Sequence, residues 1–202
     1  STSVQSLYRA ELAGYNLFTG LAAPDGSSLG NDVRLTIDSR LQAAAYQALG
    51  GKNGAGAGYN YRTREDLCLV SAPTFDPANV PGDLETNSAY EGVYLNRALS
   101  ATYPPGSTFK VVTAAAAIER IPDLDARTFT CTGSAVINNN EITCDGVHGE
   151  IHFADGLAKS CNIVFAELAV ELGADAMTET AEKMGFNCSF SLEGVDTKPS
   201  SY

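Results

Sequence analysis

Tyr103-Pro104-Pro105-Gly106-Ser107-Thr108-Phe109-Lys110 runs directly into Val111-Val112-Thr113-Ala114-Ala115-Ala116-Ala117-Ile118. Two prolines and a glycine cannot lie inside a helix, so the spacing predicts a helix that begins at or just after Gly106. Ser107 then falls in its first turn. Lys110 follows one turn later and projects from the same face. A hydroxyl and an amine are thereby set side by side at the positive end of a helix dipole. The helix is apolar almost all round, the pattern of one buried in a domain body. Desolvation and the dipole both disfavour a charged amine at its mouth. An uncharged amine can take a proton from a serine and leave a nucleophile. Ser-x-x-Lys alone is a weak signal, since a chain of this length yields roughly one by chance. Its setting, after Pro-Pro-Gly and before a buried helix, is what gives it weight.

The rest of the chain narrows the reading. Its 202 residues suffice for one domain with a real core, or for one domain and part of another. The composition is that of an ordinary globular protein, 44% apolar and 18% charged. A net charge of −11 argues against nucleic acid or an anionic membrane surface as a partner. No apolar run is long enough to cross a bilayer, and no signal peptide opens the chain.

The five cysteines are Cys68, Cys131, Cys144, Cys161 and Cys188. None forms a Cys-x-x-Cys pair, and neither His148 nor His152 has a cysteine at the usual metal spacing. The linear pattern therefore predicts no metal site and no cofactor. Cys131 and Cys144 flank a polar loop with Gly133, Asn138, Asn139 and Asn140. They read either as a hairpin closed by a disulfide or as two free thiols on neighbouring strands. A bridge would stabilise the fold by roughly 3 kcal/mol through loop entropy and would place the protein in an oxidising compartment. Cys68 lies in an apolar strand and reads as core.

Residues 1–30 read as a lead-in from a preceding domain or linker, with a short helix from Val4 to Leu12. Val33 to Ile37 alternates and is predicted to be a strand. Asp38 and Ser39 cap a helix that ends at Gly50-Gly51, with Gln42 completing a capping box. A glycine-rich loop leads to a hairpin of Gly58–Tyr61 and Asp66–Ser71, and residues 73–87 are a proline-rich loop. Leu95 to Leu99 is a short helix before the central one, which ends near Arg120. Thr128 to Cys144 holds two strands around the asparagine turn. Short and long helices follow at Phe153–Lys159, Asn162–Leu172 and Ala174–Lys183, and the stretch from Phe186 to Tyr202 shows no clear element. Between two of these helices, Lys159-Ser160-Cys161-Asn162 breaks the chain. Ser160 and Asn162 either cap the next helix, as these residue types often do, or face one cleft together.

Tyr103 to Lys110, with Asn96-Arg97-Ala98-Leu99 just before it, resembles the nucleophile segment of penicillin-binding proteins, and Ser160-Cys161-Asn162 resembles their second motif in its Ser-x-Asn form. Further likeness covers Arg34 to Gln42, Val70 to Asn79 and Ser160 to Asn187. The resemblance is to the transpeptidase domain of the monofunctional, class B members. It implies a mixed α/β (α+β) fold, an antiparallel sheet sandwiched between helices, with residues 31–202 forming the N-terminal part of the domain. It implies that Ser107 attacks the carbonyl between the two D-alanines of a peptidoglycan stem peptide, that Lys110 accepts its proton, and that Ser160 relays a proton to the departing amine. Asn162 is implied to bind the substrate peptide and to help hold Lys110. β-Lactam antibiotics would acylate Ser107.

The third motif, Lys-Thr/Ser-Gly, does not occur; Lys52-Asn53-Gly54 and Lys183-Met184-Gly185 are the nearest strings and neither fits. The expectation is therefore a domain incomplete at its C-terminus, with an apolar sheet edge and helix face left for the missing C-terminal part to cover. The resemblance further implies an extracytoplasmic protein, anchored in the membrane through a segment outside this chain and working beside membrane-bound cell-wall synthesis proteins. A serine β-lactamase is the competing enzyme, but Glu193-Gly194-Val195-Asp196-Thr197 lacks the Glu-x-x-Leu-Asn of class A, and class D usually carries valine at the position of Asn162. A β-lactam sensor that stays acylated is the competing binding module, and a non-catalytic scaffold for wall-synthesis partners is a third reading.

Overall fold

A computed structural model describes residues 3–14, 30–192 and 194–202. They fall into two compact units, Ser1–Thr102 with Phe190–Lys198, and Tyr103–Ser189 with Pro199–Tyr202. Residues 1, 2 and 15–29 of the lead-in and Glu193 lie outside the described residues.

The first unit holds α1 (Val4–Leu7), α2 (Arg9–Leu12), α3 (Ser39–Ala48), β1 (Gly54–Tyr59), β2 (Asp66–Ala72) and α4 (Arg97–Ser100). Strands β1 and β2 form an antiparallel hairpin with Gly54 opposite Ala72 and a register shift at Gly58/Tyr59. Helices α3 and α4 pack against it. Asp38 caps α3 as expected, its Oδ1 accepting the N–H groups of Arg40 at 2.9 Å and Leu41 at 3.1 Å. The capping box does not form. Gln42 instead treats β2 as a strand partner: its Nε2 donates to the Leu69 carbonyl and its Oε1 accepts the Leu69 N–H, both at 2.8 Å. A primary amide matches a peptide edge in both donor and acceptor, so this side chain pins the helix to the sheet.

Two expectations for this unit are corrected. Val33–Ile37 is not a strand. It has the right alternation but no ladder: Thr36 Oγ1 donates to the Asp66 carbonyl, the Asp38 N–H donates to Leu67, and Leu35 is left half exposed. Gly54–Ala57, read as loop, is strand. Glycine disfavours strands in general, but a Cβ at Gly58 would stand 2.9 Å from Cys68 Sγ and one at Gly56 3.1 Å from Val70 Cγ2. The small residues let β1 lie close over the side chains of β2.

The second unit carries the main core. A 3₁₀ turn at Gly106–Phe109 leads into α5 (Lys110–Arg120), followed by β3 (Thr128–Cys131), β4 (Ser134–Ile137), β5 (Asn140–Thr143), β6 (Gly149–His152), α6 (Phe153–Ala158) and α7 (Asn162–Lys183). α7 is broken at Gly173, where φ 76° and ψ 167° leave the helical region, so the two helices read from the sequence are both present. Ala114 and Ala117 of α5 pack with Ile163, Val164 and Leu168 of α7, Phe129 of β3, Ile151 of β6 and Phe153 of α6. Alanines on α5 remove side-chain bulk and let α7 approach. At the α6–α7 corner a Cβ on Gly156 would meet Val164 at 3.1 Å.

The asparagine turn is real: Asn138 and Asn139 have φ of 47° and 62°, as a tight β4–β5 hairpin requires. The segment holds three strands, not two, because β3 leaves the hairpin to pair with β6, Cys131 opposite Gly149. Helix α5 is also less enclosed than its composition suggests. Its buried face includes Lys110, Val112, Thr113, Ala116 and Ala117, whereas Val111 and Ile118, seven residues apart on one face, are exposed. At the end of the chain, β7 (Ser191–Leu192) and β8 (Val195–Asp196) make a minimal antiparallel pair in the first unit where no element was expected.

All strand pairs among the described residues are antiparallel. The close approach over β2 gives a direct test. Gly58→Val should lower stability by about 1–3 kcal/mol through overpacking, read as a drop in the urea midpoint. Gly82→Ala, where a Cβ meets nothing within 4 Å, should stay within about 0.5 kcal/mol of wild type.

Candidate active site

Pro105 precedes the 3₁₀ turn, and Gly106 enters it with φ 54°, a left-handed value that favours glycine. This turn presents the Ser107 hydroxyl at the surface, while Lys110, the first residue of α5, is 8% exposed. Lys110 Nζ lies 3.1 Å from Ser107 Oγ. It also donates to Ser160 O at 2.8 Å, to Ser160 Oγ at 2.9 Å and to Asn162 Oδ1 at 2.6 Å. The Phe165 ring lies below it, 5.9 Å from Nζ to centroid. A buried amine thus has four oxygen partners from two distant segments, and two of those oxygens belong to serine hydroxyls on exposed residues.

The Ser160-Cys161-Asn162 turn joins α6 to α7. Ser160 has φ 54°, an uncommon conformation for a non-glycine residue and a costly one. Backbone bonds hold it there: Ser160 N–H to Leu157 O at 3.0 Å and Cys161 N–H to Gly156 O at 2.8 Å. Neither Ser160 nor Asn162 caps the following helix. Cys161 occupies the cap position of α7 and makes no side-chain cap bond. The capping alternative is therefore set aside by geometry, since both side chains are directed at Lys110. Asn162 is held from behind as well, its Nδ2 donating to Thr143 O at 2.7 Å and its N–H to Cys144 Sγ at 3.1 Å.

The structure thus brings together all four predicted reactive residues, Ser107, Lys110, Ser160 and Asn162. It does not bridge Cys131 to Cys144; all five cysteines are free thiols. Cys131 ends β3, which pairs with β6, whereas Cys144 follows β5, which pairs with β4. Instead the Sγ atoms of Cys131, Cys144 and Cys161 and a ring nitrogen of His148 all lie within 4.8 Å of one another. The linear spacing pointed away from such a grouping, because the four residues come from four separate structural positions. Burial opposes ionisation of both cysteines that are fully enclosed. At Cys131 the hydrogen bonds from the His148 and Gly133 backbones, with the neighbouring thiols, outweigh it and bring the thiol down to about 6. At Cys161 burial prevails and pushes the thiol up to about 11. Sequence reasoning missed Thr143, Cys144 and His148 as neighbours of the site. Only the pairing of β3 with β6 and of β4 with β5 places them there.

A family model described as "Penicillin binding protein transpeptidase domain" matches residues 55–199. The peptidoglycan D,D-transpeptidase PbpA of Mycobacterium tuberculosis is 34% identical over 180 residues, an alignment covering 78% of this chain and 36% of that protein. The crystal structure of the D,D-transpeptidase domain of a peptidoglycan glycosyltransferase from Eggerthella lenta superposes with a TM-score of 0.82 at 31% identity, over 99% of this chain and 46% of that one. The imipenem acyl-enzyme complex of penicillin-binding protein A from M. tuberculosis superposes with a TM-score of 0.74 at 28% identity, over 93% of this chain and 49% of that one. The mixed helix–strand fold is that of these transpeptidase domains, and the chain spans about a third of the length of PbpA.

The interlock at Asn162 has a measurable consequence. Asn162→Ala leaves the Thr143 carbonyl without its donor and Lys110 without its shortest contact, so the protein should lose about 1–3 kcal/mol in chemical denaturation. Ser107→Ala removes an exposed hydroxyl and should shift stability by no more than about 0.5 kcal/mol.

Proposed function

Starting from the fact that this chain belongs to the penicillin-binding-protein transpeptidase family, we propose that it carries the nucleophile of a peptidoglycan D,D-transpeptidase acting outside the cytoplasm. The observation that carries the reading is the single buried amine in contact with Ser107 Oγ, Ser160 Oγ and Asn162 Oδ1. None of its four partners is a carboxylate, so hydrogen bonds alone hold Nζ beside the Ser107 hydroxyl.

Ser107 Oγ forms a bond to the carbonyl carbon between the two D-alanines of a stem peptide, and its proton passes to Lys110 Nζ. The carbonyl π electrons move onto oxygen. The Ser107 N–H stands at a helix start, where N–H groups have no helical partner, and supplies one donor to that oxyanion. Collapse reforms the carbonyl and breaks the C–N bond. The departing D-alanine nitrogen takes the proton from Lys110 through Ser160 Oγ. The Ser107 ester is then attacked by an amine of a neighbouring stem peptide. A new amide forms, and the proton released by that amine returns to Ser107 by the reverse route. Asn162 holds Lys110 and offers its amide to the substrate backbone. β-Lactams enter the same sequence and stop at the ester. No Lys-Thr-Gly or Lys-Ser-Gly occurs in the 202 residues, so the second oxyanion donor is assigned to a strand outside them, with residues 31–202 as the N-terminal part of the domain. No helix of the described residues is long and apolar enough to cross a membrane; in this reading the anchor is a segment outside this chain, and the partners are membrane-bound cell-wall synthesis proteins.

The test uses the protein expressed from its complete gene. Labelled penicillin should acylate wild type and leave Ser107→Ala unlabelled, while Lys110→Ala should acylate about 10²–10⁴-fold more slowly. D-Alanine should be released from a D-Ala-D-Ala peptide. Labelling without any such release would replace the transpeptidase reading with that of a β-lactam sensor.

A further inference from the structure

Of the four residues in the turn that carries the nucleophile, Gly106, Ser107 and Thr108 are exposed and only Phe109 is half-buried. The turn is weakly held by its own backbone. The Thr108 N–H reaches the Pro105 carbonyl at 3.2 Å, Thr108 Oγ1 donates to the same oxygen, and no side-chain cap precedes the turn. Hydrogen-bond geometry in a 3₁₀ turn is poorer than in an α-helix, so tertiary contacts decide where such a turn lies. Lys110 is fixed by Ser160 and Asn162. The second hold is Phe109. Its ring meets Phe186 edge to face, with centroids 5.3 Å apart at 85°, and Tyr202 in a near-parallel stack at 5.2 Å and 12°. Both are arrangements that aromatic pairs prefer.

Specific backbone features deliver the two partner rings. α7 ends in a Schellman motif: Gly185, at φ 95°, donates its N–H to Glu182 O at 3.0 Å, and the Phe186 N–H reaches Ala181 O at 3.0 Å. The motif stops the helix and leads Phe186 to Phe109. Asn187 follows at φ 61°, a conformation that asparagine tolerates better than most residues. Its N–H donates to Ser200 O at 3.1 Å, its Oδ1 accepts the Tyr202 N–H at 2.8 Å, and its Nδ2 donates to Glu182 Oε1 at 3.3 Å. One asparagine thus ties residues 200–202 to the end of α7 and brings the Tyr202 ring onto Phe109. α7 therefore holds the reactive segment from both ends, through Asn162 on Lys110 and through Phe186 on Phe109. A straight helix of that length would span about 33 Å, too far for both ends to meet adjacent residues. The break at Gly173 makes the double contact possible.

We infer that Phe186 and Tyr202 are positioning residues for acyl transfer, clasping Phe109 so that the turn holds Ser107 Oγ at Lys110 Nζ. Neither ring makes a bond to substrate or carries the proton; each acts through Phe109. Loss of either ring lets the turn and its hydroxyl drift while Ser160 and Asn162 keep Lys110 in place. The inference rests on the reading of Ser107 as the nucleophile.

The experiment uses the protein expressed from its complete gene, with labelled penicillin in excess. It yields the saturating acylation rate constant, the half-saturating concentration and the labelled fraction. Tyr202→Ala and Phe186→Leu should lower the rate constant about 10–100-fold and leave half-saturation within about twofold of wild type. Tyr202→Phe keeps the stack and should acylate within about twofold of wild type. Tyr61→Ala, which removes an exposed aromatic of the first unit, should acylate as wild type. A merely structural loss lowers the labelled fraction and not the rate of the fraction that stays folded. Hydrogen exchange without penicillin is an independent readout: the amides of residues 106–109 should exchange about tenfold faster in Tyr202→Ala than in wild type. If wild type takes up no penicillin, Ser107 is refuted as the nucleophile, and faster exchange in the variant still supports the clasp. Wild-type rate constants in both Tyr202→Ala and Phe186→Leu, a change in half-saturation alone, or unchanged exchange at 106–109 would overturn the inference.

Discussion

A lysine whose amine is removed from water must find partners inside the protein, and everything else in the second unit is arranged around meeting that demand at Lys110. Its Nζ has Ser107 one turn before it on its own helix, and Ser160 and Asn162 on a turn about fifty residues away in sequence. The two segments meet because α5 and α7 pack through alanines, valine and leucine in the core. Helix packing therefore sets the reactive geometry. A change of helix spacing by even one methyl group would move Ser160 and Asn162 relative to Ser107, which is why the small residues Ala114, Ala117 and Gly156 matter as much as the polar ones.

The cost of this arrangement is borne at Ser160. Its left-handed backbone, φ 54°, is what turns both its carbonyl and its hydroxyl toward one amine. Such strain persists only where the surroundings over-determine it. The flanking bonds from Leu157 and Gly156, the burial of Cys161 and the grip of Thr143 and Cys144 on Asn162 supply that constraint.

How much of this was legible in the sequence differs by the range of the interaction. Ser107 and Lys110 were legible because Pro-Pro-Gly fixes the helix start and three residues fix the shared face. Asn138-Asn139 announced its hairpin because both residues tolerate positive φ. The partners of Ser160 and Asn162 could be anticipated only from the family resemblance, since nothing local distinguishes a reactive serine from a helix cap. Gln42 misled for a related reason: at short range it matches a capping box, and the Leu69 backbone that it actually binds lies on another element. Gly54–Ala57 misled because glycine lowers strand propensity, while the fold needed its missing Cβ atoms beside Cys68 and Val70. The cysteines were hardest. Cys131 and Cys144 look like the two ends of one hairpin, but β3 pairs with β6, and that single long-range pairing turns a supposed bridge into a four-residue cluster.

The claim on which the account stands is that the hydroxyl beside the buried amine is the group that reacts. Digesting the penicillin-treated protein with trypsin and locating the adduct by tandem mass spectrometry tests it most directly. The account predicts the penicilloyl mass on the peptide of residues 98–110, at Ser107 and at no other serine of that peptide. An adduct on any other residue, Ser160 included, would contradict it.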